Sequence, residues 1–324
     1  MLEFEQKHWS SGKEYIAGID EAGRGPLAGP VVAASVILPQ DIDLSEVTDS
    51  KKISEKKRER LYGEIKNSVL AMGIGVVHEE DIDEKNILQA TFKAMRQSVG
   101  KLGIKPDILL VDGNKAYIKH YKQESIIDGD QKSLSIAAAS IIAKVSRDRM
   151  MRKYDIIFPE YGFAQHKGYG TKQHMEAIIS RKASPIHRKS FNPVSQHLPS
   201  FAYIKRNRLL GKLGEQLVAC KMIRSGYDIL ESNYNVAKAG EIDIISRDEG
   251  MLVFTEVKTQ TAGHGWGEPR EQIDEKKSDR IMNAVQHYMD VHDLDCDFRF
   301  DLGEVVLGRG KPEIRILEEA LLVY

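Results

Sequence analysis

An apolar strand near the N-terminus ends in two adjacent carboxylates, and this feature constrains the fold more than any other. The strand covers residues 15–20, Asp20 and Glu21 close it, and a Gly-Arg-Gly loop at 23–25 follows. Adjacent carboxylates beside flexible residues are poor core material, so chemistry is expected at this strand end. Because successive side chains of a strand point to opposite faces, the two acids can share one site only if the strand breaks between or just after them.

Strand and helix patterns alternate after this segment. Runs rich in Val, Ile and Leu, bounded by Gly, Pro or acids, predict strands at 15–20, 30–38, 73–78 and 107–112. Apolar residues at helical spacing predict helices at 54–70, with Ser54 as its cap, and at 86–101, 135–154 and 171–181. The alternation indicates an α/β fold built on a mixed sheet with flanking helices.

A second, smaller α/β domain is expected after residue 199. Residues 195–200 form a short polar stretch that contains Pro199 and follows Pro193, which suits a linker and divides the chain into domains 1–199 and 200–324. Beyond it the pattern predicts a helix at 209–224, strands at 226–231, 240–246 and 251–258, a helix near 271–290, and strands near 297–307 and 313–317.

The composition is that of an ordinary water-soluble protein. Of 324 residues, 41% are hydrophobic and 29% charged, which allows two buried cores. Because the formal net charge is only −1, nucleic-acid binding would depend on local basic runs such as 51–60 and 181–189. The alternative is that these runs are solvated helix or loop faces.

The cysteines and the N-terminus indicate the cellular compartment in which the protein is expected. Cys220 and Cys296 are far apart and lack the spacing of a zinc site or a disulfide framework. The N-terminus lacks the layout of a signal peptide, and no apolar run approaches membrane-spanning length. We therefore expect a cytoplasmic protein without a membrane partner, and its protein partners are not identifiable from the sequence.

Two further acids follow the pattern of Asp20. Asp112 ends another apolar strand, and Asp130 precedes a helix rich in Ala and Ile. Clustered carboxylates repel unless a hard divalent cation neutralises them, and oxygen ligands suit Mg²⁺ or Mn²⁺. Taken singly, each acid is more often a cap or turn residue. Asp148 competes with Asp130 for the fourth position, but it lies between two arginines, with which we expect it to pair.

The motifs around these acids resemble bacterial ribonuclease HII. They occur in order over about residues 14–194: GIDEAGRGPLAGP at 18–30, DSKK at 49–52, VDG at 111–113, GD at 129–130, SIAAASIIAKVSRD at 135–148 and HKGYGT at 166–171. The resemblance implies a ribonuclease H-like sheet. It also implies cleavage of the RNA strand of RNA/DNA hybrids, or of single ribonucleotides embedded in duplex DNA, on the 5′ side of the ribonucleotide.

The same resemblance implies roles for individual residues. Two-metal hydrolysis would leave 3′-hydroxyl and 5′-phosphate ends, with the metal ions held by Asp20, Glu21, Asp112 and Asp130. The backbone of Gly23, Arg24 and Gly25 would approach the 2′-hydroxyl, and Tyr169 would pack on a neighbouring sugar; without the resemblance, Tyr169 is equally typical of a loop aromatic that covers the core. Phosphate contacts are expected from Lys51, Lys144 and Lys167, unless these lysines are simply solvated.

A second group of chemical residues lies on a predicted hairpin. Alternation places Glu256 and Lys258 on one face, and Asp243 joins them if it faces the same way from the adjoining strand. Two carboxylates and an ammonium can hold Mg²⁺ and orient water, although a cross-strand salt bridge uses the same residues.

This half of the chain resembles the small YraN family, whose fold is similar to PD-(D/E)xK, or restriction-endonuclease-like, nucleases. The resemblance covers about residues 205–318 and rests on GKLGEQ at 211–216, GEID at 240–243 and FTEVK at 254–258. It places Asp243, Glu256 and Lys258 on the nuclease signature and adds Glu215 from a helix. A nuclease and a DNA-binding module both fit it.

The sequence thus predicts a metal-dependent endoribonuclease with a nuclease-like second domain. Its substrates would be RNA/DNA hybrids and ribonucleotide-containing duplex DNA. The alternative is a catalytically inactive protein that binds the hybrid without cleaving it. The presence of all four acids favours the enzyme.

Overall fold

A computed structural model describes residues 1–114, 118–237, 240–262, 275–308 and 310–320. The chain forms two compact units: Met1–Met151 with His166–Met175 and Ile186–Gln196, and Arg152–Gln165 with Glu176–Pro185 and His197–Tyr324. These units differ from the predicted domains in grouping 152–165 and 176–185 with the second unit, and the boundary at residue 199 stays a prediction.

The first unit is built on a mixed five-stranded sheet. Its strands are β1 (Ile16–Ala22), β2 (Val31–Ile37), β3 (Ala71–Val77), β4 (Ile108–Asp112) and β5 (Gln123–Ile126). They lie in the order β3-β2-β1-β4-β5. β1 is antiparallel to β2 and parallel to β4, and β4 is parallel to β5. The four predicted strands are confirmed, whereas the short, polar β5 was not predicted.

Helices flank this sheet, as predicted. The helices before residue 200 are α1 (Glu3–Ser10), α2 (Glu55–Ser68), α3 (Glu79–Lys85), α4 (Ile87–Gly100), α5 (Gly129–Lys132), α6 (Leu134–Ile157), α7 (Phe163–His166) and α8 (Lys172–Arg181). Residues 163–165 of α7 and 176–181 of α8 belong to the second unit. Ser54 caps α2 as predicted, because its side chain accepts a hydrogen bond from the Lys57 amide.

The apolar core of the first unit lies on both faces of the sheet. One face packs on α4, with Ile19 of β1 and Val111 of β4 in the same cluster as Met95. The other face packs on α6, and a Cβ atom added to Gly18 would lie 2.2 Å from the Ser135 carbonyl carbon. Only glycine permits so close an approach, which holds the beginning of α6 against the centre of β1.

The second unit contains its own five-stranded sheet. Its strands are β6 (Asp228–Val236), β7 (Gly240–Asp248), β8 (Met251–Thr261), β9 (Phe298–Leu307) and β10 (Glu313–Leu317), in the order β10-β9-β8-β7-β6. β8 and β9 are parallel, and the other neighbours are antiparallel. A Glu249-Gly250 turn, with φ of 47° and 96°, joins β7 and β8 into the predicted hairpin.

The remaining helices are α9 (Phe201–Arg206), α10 (Leu210–Ser225) and α11 (Glu275–Val291). The predicted start of the last helix, 271–274, lies outside the described residues. The predicted linker is more ordered than expected, because a 3-10 helix covers Val194–His197 and α9 follows after Ser200. Within the described ranges, no helix combines the length and hydrophobicity that crossing a bilayer requires.

Candidate active site

Asp20 and Asp112 lie at the ends of two adjacent parallel strands. Ile19 of β1 is in register with Val111 of β4, so the acid that follows each of them falls at the same edge of the sheet. β1 ends at Ala22, and Gly23 then adopts a φ of 96°, which is the break predicted just after the acids. Asp20 shares the strand face of Gly18, towards α6, whereas Glu21 lines a cavity beside Met95 of α4.

The four predicted acids are coupled electrostatically. Burial raises the pKa of Asp20 well above its usual value, and repulsion by Glu21 and Asp112 raises it further, while a Ser140 hydrogen bond opposes the shift. Burial also raises the pKa of Glu21 and of Asp130, and Asp112 adds to both shifts. Asp20, Glu21 and Asp130 are thus each influenced by the charge of Asp112, and their convergence on one metal site stays a prediction.

The carboxylate oxygens already have partners. Asp112 Oδ1 accepts from the Gly129 amide at 2.7 Å, and Glu21 Oε1 lies 3.1 Å from the Arg24 guanidinium. Asp130 Oδ2 lies 3.7 Å from Lys51 Nζ. In the part of the chain that the structure describes, no group of three or more His, Cys, Asp or Glu side chains has an arrangement that could hold a metal ion.

The donor set nevertheless fits a hard divalent cation. All four side chains offer carboxylate oxygens, and the raised pKa of Asp20 reports negative charge that its surroundings leave poorly compensated. A divalent cation would relieve that repulsion, and oxygen donors suit Mg²⁺ or Mn²⁺.

Asp130 rather than Asp148 belongs to this acid cluster. The predicted pairing of Asp148 with its flanking arginines is wrong, because Asp148 accepts from Lys144 Nζ at 2.7 Å, one turn earlier on α6. That contact also occupies Lys144, which was predicted to bind phosphate. Burial lowers the pKa of the Lys144 ammonium, with the Asp148 carboxylate opposing the shift.

The two glycines of the Gly-Arg-Gly loop have different surroundings. A Cβ atom on Gly23 would lie 2.1 Å from Arg147 Nε, and its φ of 96° also favours glycine. A Cβ atom on Gly25 would meet only Tyr169 Cε1, at an ordinary 3.8 Å. Tyr169 is 46% exposed, so the alternative that it covers the core is wrong.

The predicted phosphate-binding lysines differ in accessibility. The Lys51 side chain is 79% exposed, whereas that of Lys167 is 9% exposed and lies 3.7 Å from a Glu55 carboxylate oxygen. Within the basic run 181–189, Arg188 is fully buried, so the reading of the whole run as an exposed patch is wrong. Lys51 is the predicted lysine that is best placed to meet a backbone.

Sequence reasoning missed a buried layer beneath the loop. Arg147 and Arg188 bind backbone carbonyl groups there, as detailed below. His174 Nδ1 lies 2.9 Å from the Tyr169 carbonyl oxygen, and its Nε2 lies 2.9 Å from His187 Nε2. Burial lowers the pKa of His174 to about 4, so the ring is neutral at pH 7. A buried loop arginine or histidine has no sequence pattern that separates it from a solvated one.

In the second unit, the predicted acids and lysine meet on the β7–β8 hairpin. Glu256 Oε1 accepts from Lys258 Nζ at 2.8 Å and also from Lys277 of α11. The salt bridge therefore runs along β8 rather than across the strands. Burial, followed by the Glu256 charge, raises the pKa of Asp243 to about 7, and Asp243 Oδ2 accepts from the Val257 amide.

Glu215 extends this second cluster from α10. It lines the same small cavity as Asp243. Burial raises the pKa of Glu215, as does the charge of Glu241, whereas Asn233 and Lys212 oppose the shift. The structure therefore brings three carboxylates of the second unit together, with Lys258 next to Glu256.

A mixed sheet with carboxylates gathered at the ends of its central parallel strands defines, for the first unit, the class of metal-dependent nucleases. Residues 17–194 match the sequence model of ribonuclease HII. The chain belongs to the ribonuclease HII family and is a ribonuclease H endonuclease; enzymes of this family act on RNA/DNA hybrids and depend on divalent metal ions. Residues 214–305 match the uncharacterised protein family UPF0102, so the two families are joined in one chain.

Two curated ribonuclease HII sequences agree with this assignment. A ribonuclease HII of Acetivibrio thermocellus is 56% identical over 59% of this chain and 75% of its own length. One from Geobacter metallireducens is 54% identical over 60% of this chain and 92% of its own length. The crystal structure of ribonuclease H2 from Pyrococcus horikoshii superposes with a TM-score of 0.49 and 25% identity, covering 60% of this chain and 99% of that one.

Proposed function

We propose that the first unit cleaves the RNA strand of RNA/DNA hybrids and single ribonucleotides embedded in duplex DNA, on the 5′ side of the ribonucleotide. Asp20, Glu21, Asp112 and Asp130 would hold two Mg²⁺ or Mn²⁺ ions. Bound there, the ions would align an attacking water with the departing 3′-oxygen, leaving 3′-hydroxyl and 5′-phosphate ends.

The proposed requirement for a ribose in the substrate rests on one observation: the fold itself does not require a glycine at position 25. Its Cβ position is open apart from an ordinary contact with Tyr169, and it is not among the residues with positive φ. A missing side chain at this point lets a sugar approach the backbone closely, where a peptide group can hydrogen-bond the 2′-hydroxyl that DNA lacks.

The remaining substrate contacts follow from exposure and charge. Tyr169 offers an accessible ring beside Gly25, on which the neighbouring sugar would pack. Lys51, exposed and 3.7 Å from Asp130, would contact a phosphate close to the acids. Lys144 and Lys167 already have carboxylate partners, so we propose that they support the site rather than grip the backbone.

The test compares two duplexes that differ by one hydroxyl group. With Mg²⁺ or Mn²⁺, the full-length protein should nick a DNA duplex containing one ribonucleotide and leave the all-DNA duplex intact. Mapping the ends should place the cut on the 5′ side of the ribonucleotide. Equal cutting of both duplexes would refute the proposal. Tight binding of the ribonucleotide duplex without any turnover would support the inactive hybrid-binding alternative.

For the second unit we propose a metal-dependent DNA nuclease, with a DNA-binding module as the competing function. The observation that favours the nuclease is the raised pKa of Asp243, to which burial and then the charges of Glu256 and Glu215 contribute. Lys258 and Lys277 are bonded to Glu256, and a bound cation would relieve the repulsion that remains at Asp243 and Glu215. Branched and flapped DNAs should be cut by the wild type and left intact by Lys258→Ala. Metal-independent binding without cutting by both proteins would establish the module instead.

A further inference from the structure

Arg188 binds a single stretch of backbone through most of its donors. Its Nε donates to the Gly29 carbonyl at 3.1 Å, and its Nη1 donates to the carbonyls of Arg24 at 2.8 Å and Pro26 at 2.7 Å. Its Nη2 donates to the Gly23 carbonyl. The same Nη2 donates to the Pro30 carbonyl at 3.4 Å, and all five acceptors lie within residues 23–30, which we call the ribose turn.

Arg147 binds the other end of the ribose turn and joins it to the Tyr169 loop. Its Nε donates to the Pro30 carbonyl at 2.9 Å, and its Nη2 donates to the Ala28 carbonyl at 3.1 Å. Its Nη1 donates to the Lys167 carbonyl at 2.9 Å, two residues before Tyr169. The two guanidinium groups together therefore fix both predicted sugar contacts.

Keeping two guanidinium groups in this place is unfavourable in itself. Both arginines are buried, and burying a charge is strongly unfavourable unless hydrogen bonds replace the lost water. Burial, followed by the Arg147 charge, lowers the pKa of Arg188 to about 9, and Arg188 stays protonated at neutral pH. Two like charges persist here because the backbone carbonyls of one turn surround them.

The hydrogen bonds from Arg188 also determine the direction in which the amide groups of the ribose turn point. In a trans peptide the N–H of one residue points opposite to the C=O of the residue before it. Because the carbonyls of Gly23 and Arg24 point towards Arg188, the amide groups of Arg24 and Gly25 point away from it. The amide groups of Arg24 and Gly25 can therefore donate hydrogen bonds to a ligand oxygen without any rearrangement of the turn.

We propose that Arg188, assisted by Arg147, is a positioning residue for ribose recognition: it holds the carbonyls of the ribose turn inward so that the turn can read a 2′-hydroxyl. It touches the turn and not the substrate. The proposal rests on the proposed function of the turn, and it adds that the selectivity for ribose depends on a side chain buried beneath it.

Binding measured with Ca²⁺ in place of Mg²⁺, so that the duplex is not cut, tests the proposal. The wild type should prefer a duplex with one ribonucleotide over all-DNA duplex by about tenfold, the value of one good hydrogen bond. Arg188→Met, which keeps volume and loses every donor, should reduce that preference to within about twofold. Its affinity for all-DNA duplex should stay within about twofold, a split that a general loss of stability would not produce.

Matched variants make the outcome decisive. Arg188→Lys, which keeps the charge and loses the planar fork, should show an intermediate preference, and it decides the matter if Arg188→Met does not fold. Arg299→Met removes a comparable arginine of the second unit and should keep the full preference. A folded Arg188 variant that keeps the tenfold preference would overturn the inference. A wild type without preference would instead refute the proposed function of the turn.

Discussion

The two carboxylate clusters of this chain solve the same electrostatic problem differently. In the first unit, Asp20 is buried and its pKa is raised by burial and by two neighbouring acids. In the second unit, the central carboxylate, Glu256, is bonded to two ammonium groups, those of Lys258 and Lys277. The first cluster also contains two ion pairs, of Glu21 with Arg24 and of Asp130 with Lys51. Its buried acid Asp20 nevertheless keeps a pKa raised by burial and by its acidic neighbours, so Asp20 has the greater need of an external cation. In the second cluster both ammonium groups are bonded to the single carboxylate of Glu256.

The difference explains why the two sites support proposals of different scope. In the first unit, Asp20 is buried and its charge is poorly compensated, which points to metal binding. Gly25 is a glycine that the fold does not require, which points to a particular substrate. An acid group with built-in cations is compatible with catalysis and with a structural ion-pair network. Experiments on variants of each cluster can distinguish the two.

Removing one charge from the first cluster should abolish cleavage without unfolding the protein. Asp20→Asn should lower the rate on ribonucleotide-containing duplex by roughly a thousandfold or more, because it removes a metal ligand. Thermal stability without metal should be unchanged or higher, since the variant relieves a desolvated charge. Asp243→Asn is the control, with ribonuclease activity within about twofold of wild type; retained cleavage by Asp20→Asn would remove that residue from the site.

The second cluster should show its own dependence on pH when metal is absent. The pKa of Asp243 is about 7 in the folded protein against 3.8 as its ordinary value. The folded state therefore holds this proton more tightly, and its contribution to stability is lost as pH rises from about 4 through 7, by up to about 4 kcal/mol. In chelator, Asp243→Asn should stabilise the protein more at pH 8 than at pH 5, as followed by calorimetry; an equal effect at both pH values would contradict the assigned shift.

Substitutions of Gly23 and Gly25 should distinguish an effect on stability from an effect on substrate recognition. Gly25→Ala should lower kcat/KM on the ribonucleotide substrate by about tenfold and change unfolding free energy by less than about 0.5 kcal/mol, since its Cβ position is open. Gly23→Ala should destabilise the protein, because the added Cβ would collide with Arg147. Urea unfolding and steady-state kinetics measure the two effects, and full activity of Gly25→Ala would remove the reason for a glycine there.

The lysines should give the smallest effect. Lys51→Ala should raise KM by roughly threefold and reduce the salt dependence of binding by about one phosphate contact, with stability unchanged. Lys167→Ala should act mainly on stability, because that side chain is largely buried beside Glu55. A salt slope that is identical for Lys51→Ala and wild type would exclude a phosphate contact.

The strands and the acids could be predicted because their signals are local. Uninterrupted apolar runs predicted β1 and β4, and the acid at the end of each is where the sequence predicts the metal site. The short strand Gln123–Ile126 escaped because it is polar and its pairing with β4 is a tertiary contact.

The parts that could not be predicted depend on which charges become buried. Arg188 lies in a basic run that resembles a solvated surface, yet its partners are carbonyls more than 150 residues earlier in the chain. Asp148 pairs with Lys144 along α6 rather than with the adjacent arginines, because Arg147 is directed to the ribose turn. Burial decides between such alternatives, and burial is set by the whole fold.

The most direct test of the central claim is the location of bound Mn²⁺ by anomalous scattering from crystals of the full-length protein. We expect two ions roughly 4 Å apart. Each should lie within ligand distance of carboxylates of the first cluster, which are Asp20, Glu21, Asp112 and Asp130. Manganese found only at Asp243 and Glu256, or at neither cluster when Mn²⁺ is saturating, would contradict it.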